Sequence, residues 1–550
     1  METPRPDRAG ACSTGDAARE LASDPEPMKP QQYFLETFGC QMNVLDSQLV
    51  EGQLRARGLR PAGDARDADI VLFNTCSVRQ HAEDKVLARL GTLKTRKRRQ
   101  PELIVGVIGC MAEREKEGIF ARAPHVDLIC GPGELNRLPA LIDEVVERQE
   151  QVAALAGSLS RRTEVLARAL EYDSLEALDL SRAATIEAEG GVLQSYIRVQ
   201  RGCDKFCTYC VVPFTRGAER SRPPAHIVDE AKMLAERGCR EVTLLGQTVN
   251  SYVHQEDGRP VPFAKLLERV QAVEGIDRVR FVTSFPADWD EDIFRVMRDY
   301  PKVMPYLHIP AQSGSDRILA AMKRGYTVDE YLRLMDTARR YLPHISLAGD
   351  FIVGFCGETD ADFRASLELM RRVEYKSLFV FKYSPRPGTK ADRNLPDDVP
   401  GEVKAARNQE MLAVQAEIGL RHREAFVGRS VEVLVEGYSK LGRPGAVREG
   451  GAEGPAVQES EQDRGSEVLH GARPVRGSGQ LVGRTPGDLI VVFDAPPSRI
   501  GAIVRVAIER VTPLTLFGRV TDVVSEPRPA ATPLTPASAL GLPILSGGGA

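Results

Sequence analysis

The sequence predicts an α/β chain in three folded parts: an amino-terminal α/β domain on a parallel sheet, a central partial (βα)6 barrel of the TIM type, and a small carboxy-terminal β-barrel. Three observations predict it. Strands alternate with helices from residue 33 to about 146, six strand–helix units follow from residue 195, and short alternating strands separated by Gly and Pro come after residue 428. Strands that alternate with helices form parallel sheets, whereas short alternating strands form sandwiches or barrels.

Composition fits a globular protein that works in a reducing compartment. The chain has 550 residues, of which 42% are hydrophobic and 27% charged, and its formal net charge is −4. No apolar run approaches the ~18 residues that cross a bilayer, and the first 30 residues lack the apolar core of a signal peptide. Ten cysteines in a chain of this length do not make a disulfide framework. We therefore expect a cytoplasmic protein without a membrane segment.

The acidic balance excludes a generic polyanion binder but leaves room for a local basic surface. The run KTRKRR at 94–99 is one candidate for such a surface, and a mobile solvated loop is an equal alternative.

Shifts in composition predict the boundaries of the parts. The predicted parts are a disordered tail at 1–31, the amino-terminal domain at 32–147, a helical linker at 148–188 and the central barrel at 189–425. The β-barrel follows at 426–522 with a low-complexity insert at about 443–479, and a disordered tail ends the chain at 523–550. In the first domain we expect strands at 33–38, 69–75, 103–109 and 126–129. In the central barrel we expect strands at 195–199, 241–245, 278–283, 304–309, 347–353 and 377–381, followed by a helix at 403–424.

The stretch RGCDKFCTYC at 201–210 carries three cysteines in the spacing C-x3-C-x2-C. Cys203, Cys207 and Cys210 can hold three irons of a four-iron, four-sulfur cube and leave the fourth iron without a protein ligand. S-adenosylmethionine can chelate that open iron, and one electron can then split its carbon–sulfur bond. A structural zinc site is the weaker alternative, because it needs four ligands and no fourth Cys or His lies close by.

A second set of cysteines follows three predicted strands of the first domain. Cys40, Cys76 and Cys110 each come within two residues of the end of a strand. The carboxyl ends of parallel strands lie on one edge of a sheet, so the three thiols should meet there and could hold a second cluster. Three unrelated buried thiols are the alternative, and the spacing by itself does not separate iron from zinc.

Other candidates follow the strands of the central barrel, where a TIM-type fold places its catalytic groups. Gly246, Gln247, Gln312 and Gly354 are the predicted cofactor contacts, and Ser284 occupies a similar position. Taken alone, each of them is more often a turn residue than a ligand contact.

Several motifs together resemble the methylthiotransferases that modify tRNA, a family of radical S-adenosylmethionine enzymes whose nearest branch is the MiaB type. The motifs are CDKFCTYCVVPFTRG at 203–217, GCQMN at 39–43, NTCS at 74–77, GCMA at 109–112, LGQTVNSY at 245–252, QSGS at 312–315 and GET at 357–359. The sequence departs from the pattern at Phe285, where many relatives have His, and at Cys356, where Pro is frequent.

The resemblance implies a function. Cys203, Cys207 and Cys210 would hold the [4Fe–4S] cluster that cleaves S-adenosylmethionine, and Cys40, Cys76 and Cys110 an auxiliary [4Fe–4S] cluster that supplies the sulfur. The substrate would be an isopentenylated adenosine in the tRNA anticodon stem-loop, methylthiolated at carbon 2 with two molecules of S-adenosylmethionine per turnover. The β-barrel would be a TRAM domain, which binds RNA. An electron donor and a sulfur donor would be further partners.

Rival functions remain at this stage. Within the class, the substrate could be a threonylcarbamoyl adenosine of tRNA or an aspartate of a ribosomal protein. The run VVPFTR at 211–216 favours the MiaB-type branch, which acts on isopentenylated adenosine. From other classes, the chain could be a non-catalytic iron–sulfur protein or a zinc-stabilised RNA-binding module.

Overall fold

The computed structural model describes residues 30–77, 80–155, 179, 182, 186, 191–439 and 479–528. Within these residues the predicted fold class is confirmed: a parallel-sheet α/β domain, an open barrel of six parallel strands and a closed five-stranded barrel follow one another. The predicted tail at 1–31 and insert at about 443–479 lie almost entirely outside the described residues.

The amino-terminal domain is one sheet of six parallel strands in the order β2-β1-β3-β4-β5-β6. The strands are β1 (Gln32–Phe38), β2 (Arg60–Pro61), β3 (Ile70–Thr75), β4 (Ile104–Gly109), β5 (Leu128–Cys130) and β6 (Val152–Ala154). Every residue of β3 and β4 is buried, because helices cover both faces of the sheet. These helices are α1 (Gln41–Ala56), α2 (Gln80–Arg99), α3 (Cys110–Glu115), α4 (Gly118–Arg122) and α5 (Leu138–Arg148).

The prediction of a helical linker from residue 148 is wrong at its start. Strand β6 lies within it and pairs in parallel with β5, since Val152 and Ala154 alternate into the core while Ala153 faces solvent. Most of the remainder, through 188, lies outside the described residues.

The basic run at 94–99 is the last turn and a half of α2, not a loop. Arg96 donates to the carbonyl of Ala68 at 2.7 Å, and Lys97 pairs with Asp127 at 2.8 Å. These two cations therefore hold the end of α2 against the sheet of their own domain.

The central domain is an open barrel of two three-stranded parallel sheets, β7-β10-β13 and β14-β15-β16, joined by a parallel bridge between Val279 and Val303. Its main strands are β7 (Gln194–Arg198), β10 (Glu241–Leu245), β13 (Arg278–Phe281), β14 (Tyr306–His308), β15 (Ser346–Val353) and β16 (Ser377–Lys382). Two short antiparallel pairs are added: β8 (Gln200–Arg201) with β9 (Arg220–Ser221), and β11 (Val253–Glu256) with β12 (Arg259–Pro262).

Amphipathic helices surround the open barrel. They are α6 (Val212–Thr215), α7 (Pro224–Glu236), α8 (Phe263–Gln271), α9 (Glu291–Asp299), α10 (Asp316–Ala321), α11 (Val328–Tyr341), α12 (Asp360–Val373), α13 (Lys390–Asn394) and α14 (Gly401–Glu424). Thr327 caps α11 through a capping box with Glu330, as the sequence predicts.

The carboxy-terminal barrel closes in the order β17-β18-β19-β21-β20. Its strands are β17 (Ser430–Tyr438), β18 (Gln480–Arg484), β19 (Ile490–Asp494), β20 (Ile503–Val511) and β21 (Thr515–Ser525). The prediction of a disordered tail from 523 is wrong at its start, because β21 pairs with β20 as far as Ser525, and residues 529–550 lie outside the described residues.

The turn between β18 and β19 docks at the amino ends of the central strands. Arg280 of β13 donates to the carbonyls of Thr485 and Pro486 at 2.8 and 2.9 Å, and Lys376, just before β16, pairs with Asp488 at 2.7 Å. The small barrel thus covers the amino end of the open barrel and leaves its carboxyl end for the cysteines.

Candidate active site

The catalytic loop, residues 202–219, is closed at its base by the β8–β9 pair, in which Arg201 lies opposite Arg220. Gly202 has φ +68°, and a Cβ at this position would overlap the carbonyl of Ala218. The Cys203 amide donates to Gly217 O at 3.2 Å across the same base. Only glycine accommodates this crossing, which sets the direction in which Cys203 leaves the sheet.

The middle of the catalytic loop is anchored to two neighbouring segments of the barrel. Three hydrogen bonds hold Thr208 in place. Its amide donates to Met322 O at 3.0 Å, its hydroxyl donates to Ala321 O at 2.8 Å, and its carbonyl accepts from the Ala391 amide at 2.8 Å. Cys207 and Cys210 on either side are therefore fixed, and the Cys210 amide bonds back to Cys207 O at 3.1 Å.

The three thiols of the catalytic loop are free and partly or fully buried. Burial raises the pKa of Cys203 to about 11 and that of Cys210 to about 12, and the charge of Cys207 adds to both effects. The sulfurs are thus close enough to interact, as the spacing predicts.

The auxiliary triad, Cys40, Cys76 and Cys110, lies at the carboxyl edge of three neighbouring strands. Phe38, Thr75 and Gly109, the last residues of β1, β3 and β4, are in register with one another. Adjacent strands lie about 4.8 Å apart, so the cysteines that follow them are neighbours. The triad that the strand-end argument predicted is brought together.

The auxiliary triad is supported from below by a buried amide pair. Asn74 donates to the carbonyl of Asn43 and to Ser47 Oγ, both at 2.9 Å, and accepts from the Asn43 amide at 2.9 Å. Above it, a hydrogen bond from Cys76 lowers the pKa of Cys40 to about 5, whereas burial raises the pKa of Cys110.

Arg216 links the catalytic loop to the auxiliary triad. Its side chain is 9% exposed, donates to Asp46 Oδ2 of α1 at 2.8 Å, and interacts with the thiols of Cys40 and Cys110. On the other side, Arg386, which follows β16, lies 3.7 Å from Glu83 of α2. The auxiliary triad is therefore enclosed between the first domain and the loops of the central barrel.

Polar side chains that each have one unpaired buried atom form a polar rim at the carboxyl end of the open barrel. Five buried atoms have no hydrogen-bond partner among the described residues: Gln200 Nε2, Gln247 Oε1, Ser284 Oγ, His308 Nδ1 and Gln312 Oε1. Buried polar atoms are normally satisfied, so a polar ligand is expected here. His308 also pairs through Nε2 with Asp350 at 3.1 Å.

The predicted contacts differ in what surrounds them. Gln312 has φ +69°, an uncommon conformation for a residue with a side chain, and its unpaired Oε1 belongs to the polar rim. Gly246 lies against Gln200 and therefore belongs to the same rim. At Gly354 a Cβ would overlap Lys404, and its amide donates to Glu358 at 2.7 Å. The close approach of Lys404 and the hydrogen bond to Glu358 therefore explain why glycine occupies position 354.

A cavity of about 310 Å³ borders the catalytic loop. Its polar lining includes Lys205, Glu219, Ser251 and Asp288. Lys205, between two of the cysteines, pairs with Asp288, which accepts from Ser251 Oγ at 2.6 Å.

Sequence reasoning missed Gln200, His308, Arg216 and Arg324. His308 could have been found, because it is the penultimate residue of the strand predicted at 304–309, near the carboxyl edge. Arg216 lay within the motif VVPFTR at 211–216 but had no role assigned to it, and Arg324 carried no signal, since both roles depend on which loops the fold brings together.

The donor sets fit iron–sulfur clusters. Each triad offers three free thiols and no disulfide. Among the described residues, no three His, Cys, Asp or Glu side chains converge closely enough to chelate a single metal ion. A cluster does not require such convergence, because its cysteines bind different irons.

Three family profiles match the chain. The Uncharacterized protein family UPF0004 matches residues 32–131, the Radical SAM superfamily residues 197–370 and the TRAM domain residues 475–521. The fold and the site thus define a radical S-adenosylmethionine enzyme with an appended TRAM barrel.

The most similar curated proteins narrow this class. A tRNA-2-methylthio-N(6)-dimethylallyladenosine synthase of Rhodopirellula baltica is 44% identical over 91% of this chain and 98% of its own length. Those of Paracoccus denitrificans and Syntrophotalea carbinolica are 41% and 37% identical, over 91% and 86% of this chain and 99% and 96% of theirs. The chain belongs to the family of tRNA-2-methylthio-N(6)-dimethylallyladenosine synthases. The part of the chain that the structure describes contains no helix long and apolar enough to cross a membrane.

Proposed function

We propose that Cys203, Cys207 and Cys210 bind the cluster that activates S-adenosylmethionine, and that Cys40, Cys76 and Cys110 bind the auxiliary cluster. The chain is a radical S-adenosylmethionine methylthiotransferase that works with two [4Fe–4S] clusters and adds a methylthio group to carbon 2 of N6-isopentenyladenosine in tRNA. One observation carries the assignment of the six ligands: Arg216 of the catalytic loop reaches the auxiliary triad. The loop that carries one triad therefore contacts the other triad.

A [4Fe–4S] cluster with an open iron supplies the electron that splits S-adenosylmethionine, and an auxiliary cluster supplies or presents the sulfur. The residues of the chain provide what this chemistry needs around it. The β8–β9 base and the Thr208 contacts hold the catalytic loop rigid. Arg216 and Asp46 hold the two domains together beside the auxiliary triad. The loops that enclose the auxiliary triad would exclude water from the space beside it.

The polar rim is our candidate for the S-adenosylmethionine site. The predicted contacts that we retain there are Gly246, Gln247 and Gln312. We add Gln200, Ser284 and His308, because their unpaired atoms would bind the polar groups of a nucleoside. We place Gly354 beside this site as a residue that shapes the turn after β15.

We further propose that the RNA partner is the anticodon stem-loop and that the enzyme works in the cytoplasm. The enclosed position of the triads requires the target base to leave its stack, at a cost of a few kcal/mol. An electron donor and a sulfur donor complete the set of partners. The domain division at 32–154, 191–425 and 426–528 is also our proposal, with one cofactor site for each of the first two domains.

The test is to reconstitute the full chain without oxygen, count iron, and add S-adenosylmethionine, a reductant and isopentenylated tRNA. We expect about eight irons per chain, 5′-deoxyadenosine and methylthiolated tRNA. Cys207→Ala should abolish 5′-deoxyadenosine, and Cys76→Ala should leave some of it but yield no thiolated product.

Matched controls are available in the same domains. Cys239→Ala and Cys130→Ala remove buried thiols outside the triads and should keep about eight irons and both products. Zinc in place of iron, or 5′-deoxyadenosine formation that survives Cys207→Ala, would reject the assignment.

A further inference from the structure

Arg324 places a buried guanidinium beside the catalytic triad. It follows α10, is 5% exposed, and its Nη1 lies 3.3 Å from Cys207 Sγ. Its other donors are used as well: Nη2 donates to Pro310 O at 3.1 Å and Nε to Tyr326 Oη at 3.1 Å. The partners around it are thus a carbonyl, a phenol and the sulfur of Cys207.

Arg324 has no carboxylate partner among the residues that the structure describes, and in this it differs from other buried arginines of the central domain. Arg222 pairs with Glu230 at 2.7 Å, and Arg216 pairs with Asp46 at 2.8 Å. A buried cation without an anion is unfavourable. The sulfur of Cys207 is the group that can supply the missing negative charge.

Two sets of contacts fix the position of Arg324 relative to Cys207. The Thr208 amide donates to Met322 O and its hydroxyl to Ala321 O, and these two bonds tie the catalytic loop to the turn that carries Arg324. The guanidinium is also stacked 4.6 Å from the ring centroid of Phe285. It cannot swing away from the sulfur without breaking this packing.

We propose that Arg324 is a positioning residue for the catalytic cluster, which donates a charge-assisted N–H···S hydrogen bond to the Cys207 sulfur and makes the cluster easier to reduce. Hydrogen bonds to cluster sulfurs and nearby positive charge stabilise the reduced, more negative state and so raise the reduction potential. The inference rests on the proposed function, because it requires Cys207 to be a cluster ligand.

The first experiment needs no change at Arg324. The auxiliary cysteines are replaced (Cys40→Ala, Cys76→Ala and Cys110→Ala), the full chain is labelled with 15N-arginine, and the reduced catalytic cluster is examined by pulsed EPR. We expect a 15N coupling from a guanidinium nitrogen. Its absence in a chain that holds about four irons would overturn the inference.

The second experiment compares variants in the same background. Arg324→Met should shift the midpoint potential to a more negative value and slow 5′-deoxyadenosine formation about 10-fold or more, with the KM for S-adenosylmethionine little changed. Arg324→Lys keeps the charge and should shift the potential less. Lys323→Met removes a neighbouring but exposed charge, which water screens, and should leave the potential unchanged.

The outcomes separate this inference from the proposed function. A chain that takes up no iron at the catalytic loop contradicts the proposed function. A loaded Arg324→Met chain with an unchanged potential, or the same shift in Lys323→Met, contradicts only the role of Arg324. If Arg324→Met assembles no cluster, the 15N measurement on the chain with native Arg324 decides alone.

Discussion

The catalytic triad and the auxiliary triad offer the same three thiols but are built in different ways. The catalytic cysteines lie in one loop whose base is closed by a two-stranded pair and a glycine crossing. The auxiliary cysteines come from three strand ends that are distant in sequence and in register in the sheet. The comparison teaches that one cofactor site can depend on local backbone geometry while its neighbour depends on the packing of a whole domain.

Their charges differ as well. Arg216, beside the auxiliary triad, is already neutralised by Asp46, whereas Arg324, beside the catalytic triad, has no carboxylate partner among the described residues. The cation next to the catalytic triad therefore acts on the sulfur with its full charge. This suits a site that must accept an electron.

The largest effect is expected at the base of the catalytic loop. Gly202→Ala forces a side chain into the carbonyl of Ala218 at φ +68°, so the loop must open and the catalytic cluster should be lost. Iron should fall from about eight to about four per chain, and both 5′-deoxyadenosine and methylthiolated tRNA should disappear.

Gly258→Ala is the control for Gly202→Ala. It has φ +74° but open space around it, so it carries only the backbone strain of about 1–2 kcal/mol. Full iron content in Gly202→Ala, or equal loss in Gly258→Ala, would show that the crossing does not shape the site.

A narrower effect is expected at the edge of the sheet. Gly109 has φ +91°, and a Cβ there would overlap Asn74 Oδ1, which supports the auxiliary triad. Gly109→Ala should lose the auxiliary iron and the thiolated product but retain 5′-deoxyadenosine formation.

Gly58→Ala, with φ +84° and nothing within 4 Å, is the matched control in the same domain. It should retain both iron pools and both products. Loss of the catalytic iron in Gly109→Ala would mean that the two sites are not built independently.

The smallest effect concerns the contact between the two sites. Asp46→Asn leaves Arg216 buried without its carboxylate, which costs about 3–5 kcal/mol. Thermal unfolding of the iron-free chain should begin at a lower temperature. In the loaded enzyme, thiolation should fall more than 5′-deoxyadenosine formation.

Asp143→Asn breaks an exposed pair with Arg57 in the same domain and should cost less than about 1 kcal/mol. If the two variants unfold alike, the buried pair contributes no more than a surface pair.

The predictions from sequence succeeded where a local pattern was sufficient. Strand β10 was predicted at its observed bounds, and the long helix near residue 403 begins within two residues of its prediction, because apolar periodicity decides such elements. The family, the fold class and the function were also predicted correctly. Strand β6 was missed because three residues carry little periodicity, and their strand state depends on the edge of β5.

The sequence by itself determined which atoms are available for chemistry: two sets of three cysteines, the glycines at sharp turns, and the strands that carry them. These follow from covalent spacing and side-chain periodicity, which are properties of the chain. Only the tertiary structure decided that Arg216 reaches the auxiliary triad, that Arg324 faces Cys207, and that unpaired polar atoms gather on one rim. The physical reason is that charge and hydrogen bonding act through space over a few ångströms, and distance in space is set by packing.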